Sequence, residues 1–424
     1  MSDERKSRFH RLNFKQVALF LAIIGPGIIT ASVDNDAGGI TTYTIAGAHF
    51  GYSLLWALIP ITVALIIVQE MCARMGVVTG KGLSDLIREN FGLKMTVLLT
   101  LVLLVANLGN TMAEFAGIAA SMGIFFGDSS KYVVVPIAAA VVWVLVVKGT
   151  YSLVEKIFLV ASTFFVTYVI SGVLAGPDWG YVASKALVPT ISFNPGYIAM
   201  LIALVGTTIA PWMQFYIQSS VVEKGVKISD YKYTKWDVII GCLITDIVAF
   251  FIIVTCATQL FSHGISVETA ADAAQALGPL AGEYSKLLFA AGLFVASMFA
   301  ASILPLSTAY TVCEGMGWDS GLDKKFRDAP HFYALYTLLI VIGAAIILIP
   351  GAPLIEIMLL SQVLNGILLP VILVFMLILI NNKKLMGSYT NSKVFNYISW
   401  GLTVVMTLLT LAMVVTSIFP WIIR

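Results

Sequence analysis

Apolar runs long enough to cross a bilayer recur through the whole chain, and this leaves few folds open. Crossing ~30 Å of hydrocarbon takes ~20 residues of helix. Eleven such segments are legible: 17–47, 51–76, 95–123, 131–149, 154–175, 196–221, 237–261, 284–313, 331–349, 353–380 and 396–420. Their apolar stretches are continuous rather than alternating, which argues against barrel strands. With 59% hydrophobic and 11% charged residues, a soluble domain would lack a polar surface. The expectation is an all-α polytopic membrane protein, with residues 1–16 as a tail and 17–424 as one transmembrane domain.

Basic residues set the expected orientation, because short cytoplasmic loops retain them. Arg5, Lys6, Arg8, Arg11 and Lys15 precede segment 1, and alternate loops hold the rest, so that only Lys131, Lys185, Lys286 and Arg424 of the 25 fall on the other side. The amino terminus is therefore expected in the cytoplasm and the carboxyl terminus outside the plasma or inner membrane. Eleven crossings require the same. The net charge of +2, with no strongly basic patch, gives no reason to expect nucleic acid, and no obligate protein partner is evident. Segment 1 lacks a cleavage site and reads as a retained helix. Cys72, Cys242, Cys256 and Cys313 are scattered without metal-ligand spacing and read as small buried hydrophobes. His10, His49, His263 and His331 lie near helix ends or in loops, and no zinc-protease histidine pair exists. Nothing suggests an enzyme or a cofactor.

Segments 1 and 6, five helices apart, are broken. Segment 1 reads Gly25-Pro26-Gly27 and then Asp34-Asn35-Asp36-Ala37-Gly38-Gly39, and segment 6 reads Gly206-Thr207-Thr208-Ile209-Ala210-Pro211 before Trp212. Unwound backbone at membrane depth is tolerated where protein buries it or a cavity adjoins it. Paired breaks at corresponding places in two halves mark an inverted-repeat transporter. The repeats would be helices 1 to 5 (about 17–175) and 6 to 10 (about 196–380), with 396–420 an addition. Ordinary kinks would not explain the acids: an aspartate at mid-membrane costs at least ~2.5 kcal/mol unless paired or hydrated. Asp36 is read as a cation ligand and Asp34 as a second candidate. Glu114 is a candidate functional acid, whereas Asp246 and Glu356, placed toward helix ends, read as solvated or structural. Gln362 and Asn365 could border the same cavity or act as interhelical glue.

From about residue 20 to 390 the chain resembles the Nramp divalent-metal transporter family. The resemblance rests on Ile24-Gly25-Pro26-Gly27, on Ala46-Gly47-Ala48-His49-Phe50-Gly51-Tyr52-Ser53-Leu54-Leu55-Trp56, on Ala113-Glu114-Phe115 and on Lys384-Leu385-Met386-Gly387. It implies a LeuT-type fold and transport of divalent metal by alternating access. The departures matter as much. The family's Asp-Pro-Gly-Asn falls on Asp36-Ala37-Gly38-Gly39, so the aspartate stays and the asparagine ligand becomes Gly39. Its Met-Pro-His becomes Ala210-Pro211-Trp212, its second histidine has no counterpart among Tyr216, Ile217 and Gln218, and an aspartate implicated in proton movement becomes Thr111. These departures resemble the Nramp-related magnesium transporters. The family's helix 10 glutamine is matched to Gln362.

Ligand chemistry points the same way. A thioether favours softer metals over Mg²⁺, so Ala210 and Gly39 would remove that filter and leave space. Mg²⁺ prefers octahedral oxygens at ~2.0 to 2.1 Å and usually keeps several waters. Asp36, Asp34, the Thr207 carbonyl and retained waters would suit it, and Mn²⁺ as well. The expected substrate is hydrated Mg²⁺ or Mn²⁺, moved without proton coupling since Thr111 and Trp212 replace titratable groups. A proton-coupled Mn²⁺ or Fe²⁺ symporter is the nearest alternative. A sodium-coupled amino-acid transporter of the same fold ranks lower, because two aspartates would repel its substrate's carboxylate.

Overall fold

The computed structural model describes residues 25–148, 166–278 and 282–418. The helices are α1 (Pro26–Val33), α2 (Ala37–Phe50), α3 (Leu55–Thr79), α4 (Leu83–Phe91), α5 (Leu93–Phe126), α6 (Lys131–Lys148), α7 (Val166–Leu174) and α8 (Trp179–Leu187). They continue as α9 (Pro195–Thr208), α10 (Pro211–Glu223), α11 (Tyr231–Gln259), α12 (Ser285–Met316), α13 (Pro330–Ile347), α14 (Leu354–Ile380) and α15 (Lys393–Ile418). No strand occurs among the described residues. Nine spans there are long and apolar enough to cross a membrane, with α9 and α10 forming one interrupted span. The other two expected crossings are segment 1, seen as the short helices α1 and α2, and segment 5, of which Val166–Leu174 is described. Residues 1–24, including the expected tail, and the first part of segment 5 lie outside the described residues.

Both breaks fall where Gly, Pro and Asx residues were read. Gly25 adopts a φ of 151°, open to glycine alone at little cost, and Pro26 starts α1. α1 stops at Val33, and Asp36 begins α2 as an extended N-cap, its Oδ1 accepting from the Gly39 N–H at 2.6 Å. In the second break Ile209 and Ala210 leave helical geometry and Pro211 restarts it. α1 and α2 both pack on α11, α9 packs on α14, and α5 lies along α12. The breaks thus meet inside the bundle.

The amino end of α1 is capped from another helix. Buried Asp237 of α11 accepts from the N–H groups of Gly25 (3.1 Å), Gly27 (2.7 Å) and Ile28 (3.3 Å). A carboxylate suits this end of a helix, where N–H groups are unpaired and the dipole is positive. Close approach is part of the device, since a Cβ on Gly27 would stand 2.7 Å from the Val238 nitrogen. Expected as the first residue of its segment, Asp237 is instead nearly two turns into α11, which starts at Tyr231. Asp237→Ala should lower stability by about 2 kcal/mol or more, with Asp237→Asn milder. A thermal melt of the detergent-solubilised protein checks this, and an unchanged midpoint for both variants would mean that the three contacts do not hold α1.

Candidate cation site

The carboxylate of Asp36 sits at the first break, 4% exposed, with fully buried Glu114 of α5 facing it at hydrogen-bonding range. Glu114 Oε2 also accepts from the Ala37 N–H at 3.2 Å, while Oε1 has no protein partner. Two facing carboxylates need a proton or a cation between them. The groups that act on either one are each other and backbone amides, with no Lys or Arg among them.

α14 supplies the opposite wall. Its Gln362 side chain packs so closely on Gly38 that a Cβ there would strike the amide, and a Cβ on Gly206 of α9 would strike the Gln362 carbonyl. Gln362 Oε1 accepts from Asn365 at 3.0 Å, and Asn365 exchanges bonds with Asn110 of α5 at 3.0 and 3.1 Å. Thr207 of the second break joins the first: its hydroxyl would lie 3.3 Å from a Cβ on Gly39, and Thr208 bonds the Tyr43 hydroxyl at 2.9 Å. Asn107 and Asn110 went unnoticed in the sequence. Their signal was spacing, since 107, 110 and 114 fall on one face of a helix.

Other candidates are placed elsewhere. Thr111 gives its hydroxyl to the Asn107 carbonyl at 2.8 Å and lays its methyl against Gly343 of α13, so it is not brought to Asp36. Trp212 is buried at the start of α10, where its carbonyl accepts from Ser307 at 3.1 Å. Ala210 contributes a buried methyl at the second break. The space expected at Gly39 is absent, because a Cβ there would strike the Asp34 carbonyl. Asp246 corrects the sequence reading: it lies in the middle of α11, 5% exposed, and neither of its oxygens has a partner. An earlier helix start and burial of its face moved it from solvent into the core. Glu356 is exposed, as expected.

The site is closed on both faces. On one, cavities of about 760 and 570 Å³ share Glu268 and Glu356 and stop short of the site. There the Thr41 hydroxyl donates to Met358 Sδ at 3.4 Å. On the other, Gln218 donates to the Lys81 carbonyl at 2.8 Å and Ser219 to Glu314 Oε1 at 2.5 Å, drawing α10 against the α3–α4 turn and α12. No group of three or more His, Cys, Asp or Glu suited to a metal ion occurs among the described residues. An ion here would depend on two carboxylates, amide and carbonyl oxygens, and water.

Interrupted helices enclosing buried acids within a bundle of spans make this a multi-pass membrane protein of the LeuT-like class. Residues 27–416 match the family described as Nramp, natural resistance-associated macrophage protein-like, and the chain belongs to that family. The divalent metal cation transporter MntH of Bacillus subtilis (strain 168) is 24% identical over 406 residues, covering 94% of this chain and 92% of the relative. The Klebsiella pneumoniae MntH is 25% identical over 404 residues, covering 94% and 95%. Among solved structures, the Eremococcus coleocola manganese transporter, in complex with an aromatic bis-isothiourea substituted compound, superposes with a TM-score of 0.74 at 19% identity over 95% of this chain and 87% of that one. MhsT in complex with L-phenylalanine gives 0.62 at 13% identity over 92% and 98%, a likeness of fold.

The two glycines should respond differently to a methyl group. Gly38→Ala meets the end of a side chain, whereas Gly39→Ala meets the Asp34 backbone. Gly39→Ala should cost about 1 to 3 kcal/mol, and Gly38→Ala less. Gln362→Ala should relieve Gly38→Ala without relieving Gly39→Ala. Melting midpoints of the single and double variants check this ordering.

Proposed function

We propose that this chain is a secondary transporter carrying divalent cations, Mg²⁺ and Mn²⁺, into the cell by alternating access and without proton coupling. The observation that carries the reading is Asp36 at the first break, buried against Glu114 with no cationic side chain among the groups acting on it. Family membership supports it, as does the name of the MntH relatives, divalent metal cation transporters. Preference for Mg²⁺ rests on chemistry: Ala210 offers no thioether, and the side-chain groups beside the first break include the Glu114 carboxylate and the Thr207 hydroxyl, both oxygens. Hard oxygens and water suit Mg²⁺ and admit Mn²⁺. Membrane potential suffices as the driving force, because a divalent ion crossing 100 mV gains ~4.6 kcal/mol, a concentration ratio on the order of 10³. The amino terminus is assigned to the cytoplasm from the distribution of basic residues.

A proton-coupled transporter is the second reading, and Glu114 is the observation that favours it, being the titratable group that faces Asp36. Against it stand Thr111, which does not titrate, gives its hydroxyl to the Asn107 carbonyl and lays its methyl against α13, and Trp212 in place of a histidine.

Uptake into proteoliposomes tests these points. Asp36→Ala should abolish Mg²⁺ and Mn²⁺ uptake in a protein that still folds, and uptake at the unmodified rate would remove Asp36 from the site. With the membrane potential clamped, an internal pH dye should record no acidification during Mg²⁺ uptake, and metal-dependent acidification would establish the second reading. Ala210→Met should raise the ratio of Mn²⁺ to Mg²⁺ uptake severalfold, because Mn²⁺ exchanges water for a soft donor more readily. The ratio must be taken in the same vesicles. If both rates fall and the ratio stays constant, Ala210 has no part in selectivity. Gly39→Asn is a poorer probe, since its Cβ would displace the Asp34 carbonyl.

A further inference from the structure

Asp34 does not share the surroundings of Asp36. The larger electrostatic influence on its carboxylate comes from Asp246 of α11, and that of Asp36, two residues away, is smaller. Asp34 is 2% exposed and Asp246 5%, and all four of their carboxylate oxygens lack a hydrogen-bond partner. The Thr62 hydroxyl beside Asp246 gives its proton to the Leu58 carbonyl at 2.7 Å. Asn35 adds a further oxygen. Its amide nitrogen donates to Thr245 Oγ1 at 2.6 Å, which holds it against the residue preceding Asp246, and its Oδ1, in a side chain 1% exposed, has no donor. Thr245 is itself fixed by donating to the Ala31 carbonyl at 2.6 Å, so α1 and α11 are locked together at this level. The charged groups acting on Asp34 are both acids.

We propose that Asp34, Asp246 and Asn35 form a second divalent-cation site, on the α11 side of the first break and distinct from the Asp36–Glu114 site. One divalent ion neutralises both carboxylates, and the donors, four carboxylate oxygens and an amide oxygen, are the hard set that Mg²⁺ and Mn²⁺ accept. Left empty and ionised, two unpartnered carboxylates at this depth would be desolvated with nothing in the protein to offset the loss of water. The inference rests on the cation-transport reading only in placing the first ion at Asp36.

The test counts Mn²⁺ bound to the full-length protein in detergent, by equilibrium dialysis. Binding to the Asp36→Ala/Asp246→Asn double variant serves as the baseline, which removes ions held by exposed acids. The unmodified protein should bind two Mn²⁺ above that baseline, and Asp246→Asn and Asp36→Ala one each. Should Asp246→Asn fail to fold, Asp34→Asn reads the same site, with the Asp34→Asn/Asp36→Ala double variant as the baseline. As many ions on Asp246→Asn as on the unmodified protein would overturn the second site. Loss of one ion in Asp246→Asn with none lost in Asp36→Ala keeps the second site and overturns the first. The two claims therefore fail separately.

Discussion

Two buried aspartates two residues apart, with no cation of the protein's own beside them, are the constraint on which the rest of the structure depends. Residues i and i+2 point to nearly opposite sides of a helix, and at an unwound break they can be turned apart as well. Asp36 goes toward α5 and Asp34 toward α11. A carboxylate at this depth persists only if something pairs with it or hydrates it. Backbone amides supply part of that at Asp36 through the Gly39 N–H, and nothing in the protein supplies it at Asp34. The proposed cations would fill the remainder.

The fold is shared with MhsT, solved in complex with L-phenylalanine, so what such a fold binds must be set by the local chemistry. A substrate carboxylate would seek the free amino ends of the broken helices. Here those of segment 1 are taken: Asp237 occupies the start of α1 and Asp36 caps α2. With its own carboxylates on both ends, the break repels anions and attracts cations. The asparagine and glutamine network joins α5 to α14 beside the break without adding charge.

Much of this was legible in the residues. Gly25-Pro26-Gly27, Asp34 to Gly39 and Gly206 to Pro211 carry their meaning locally, because only certain residues break a helix in lipid, and each break lies where it was read. The facing of the helices was not legible. Within a segment apolar on nearly all sides, no period distinguishes the face toward the bundle from the face toward lipid, so in sequence Asp246 reads as solvated or structural toward a helix end and Asp237 as a helix start, where the structure puts both inside α11. Nor could the space at Gly39 be read, since it depends on how closely the Asp34 carbonyl folds back over it. The loss of an asparagine side chain reads as a vacancy in sequence, whereas in the structure backbone fills it.

The central claim is that a divalent ion sits at Asp36. Anomalous diffraction at the manganese edge, from crystals of the unmodified protein grown with MnCl₂, tests it directly. A peak within ligand distance of the Asp36 carboxylate, between the first break, Glu114 and Gln362, is the result expected from this account. Peaks confined to the outer cavities around Glu268 and Glu356, with none at Asp36, would contradict it.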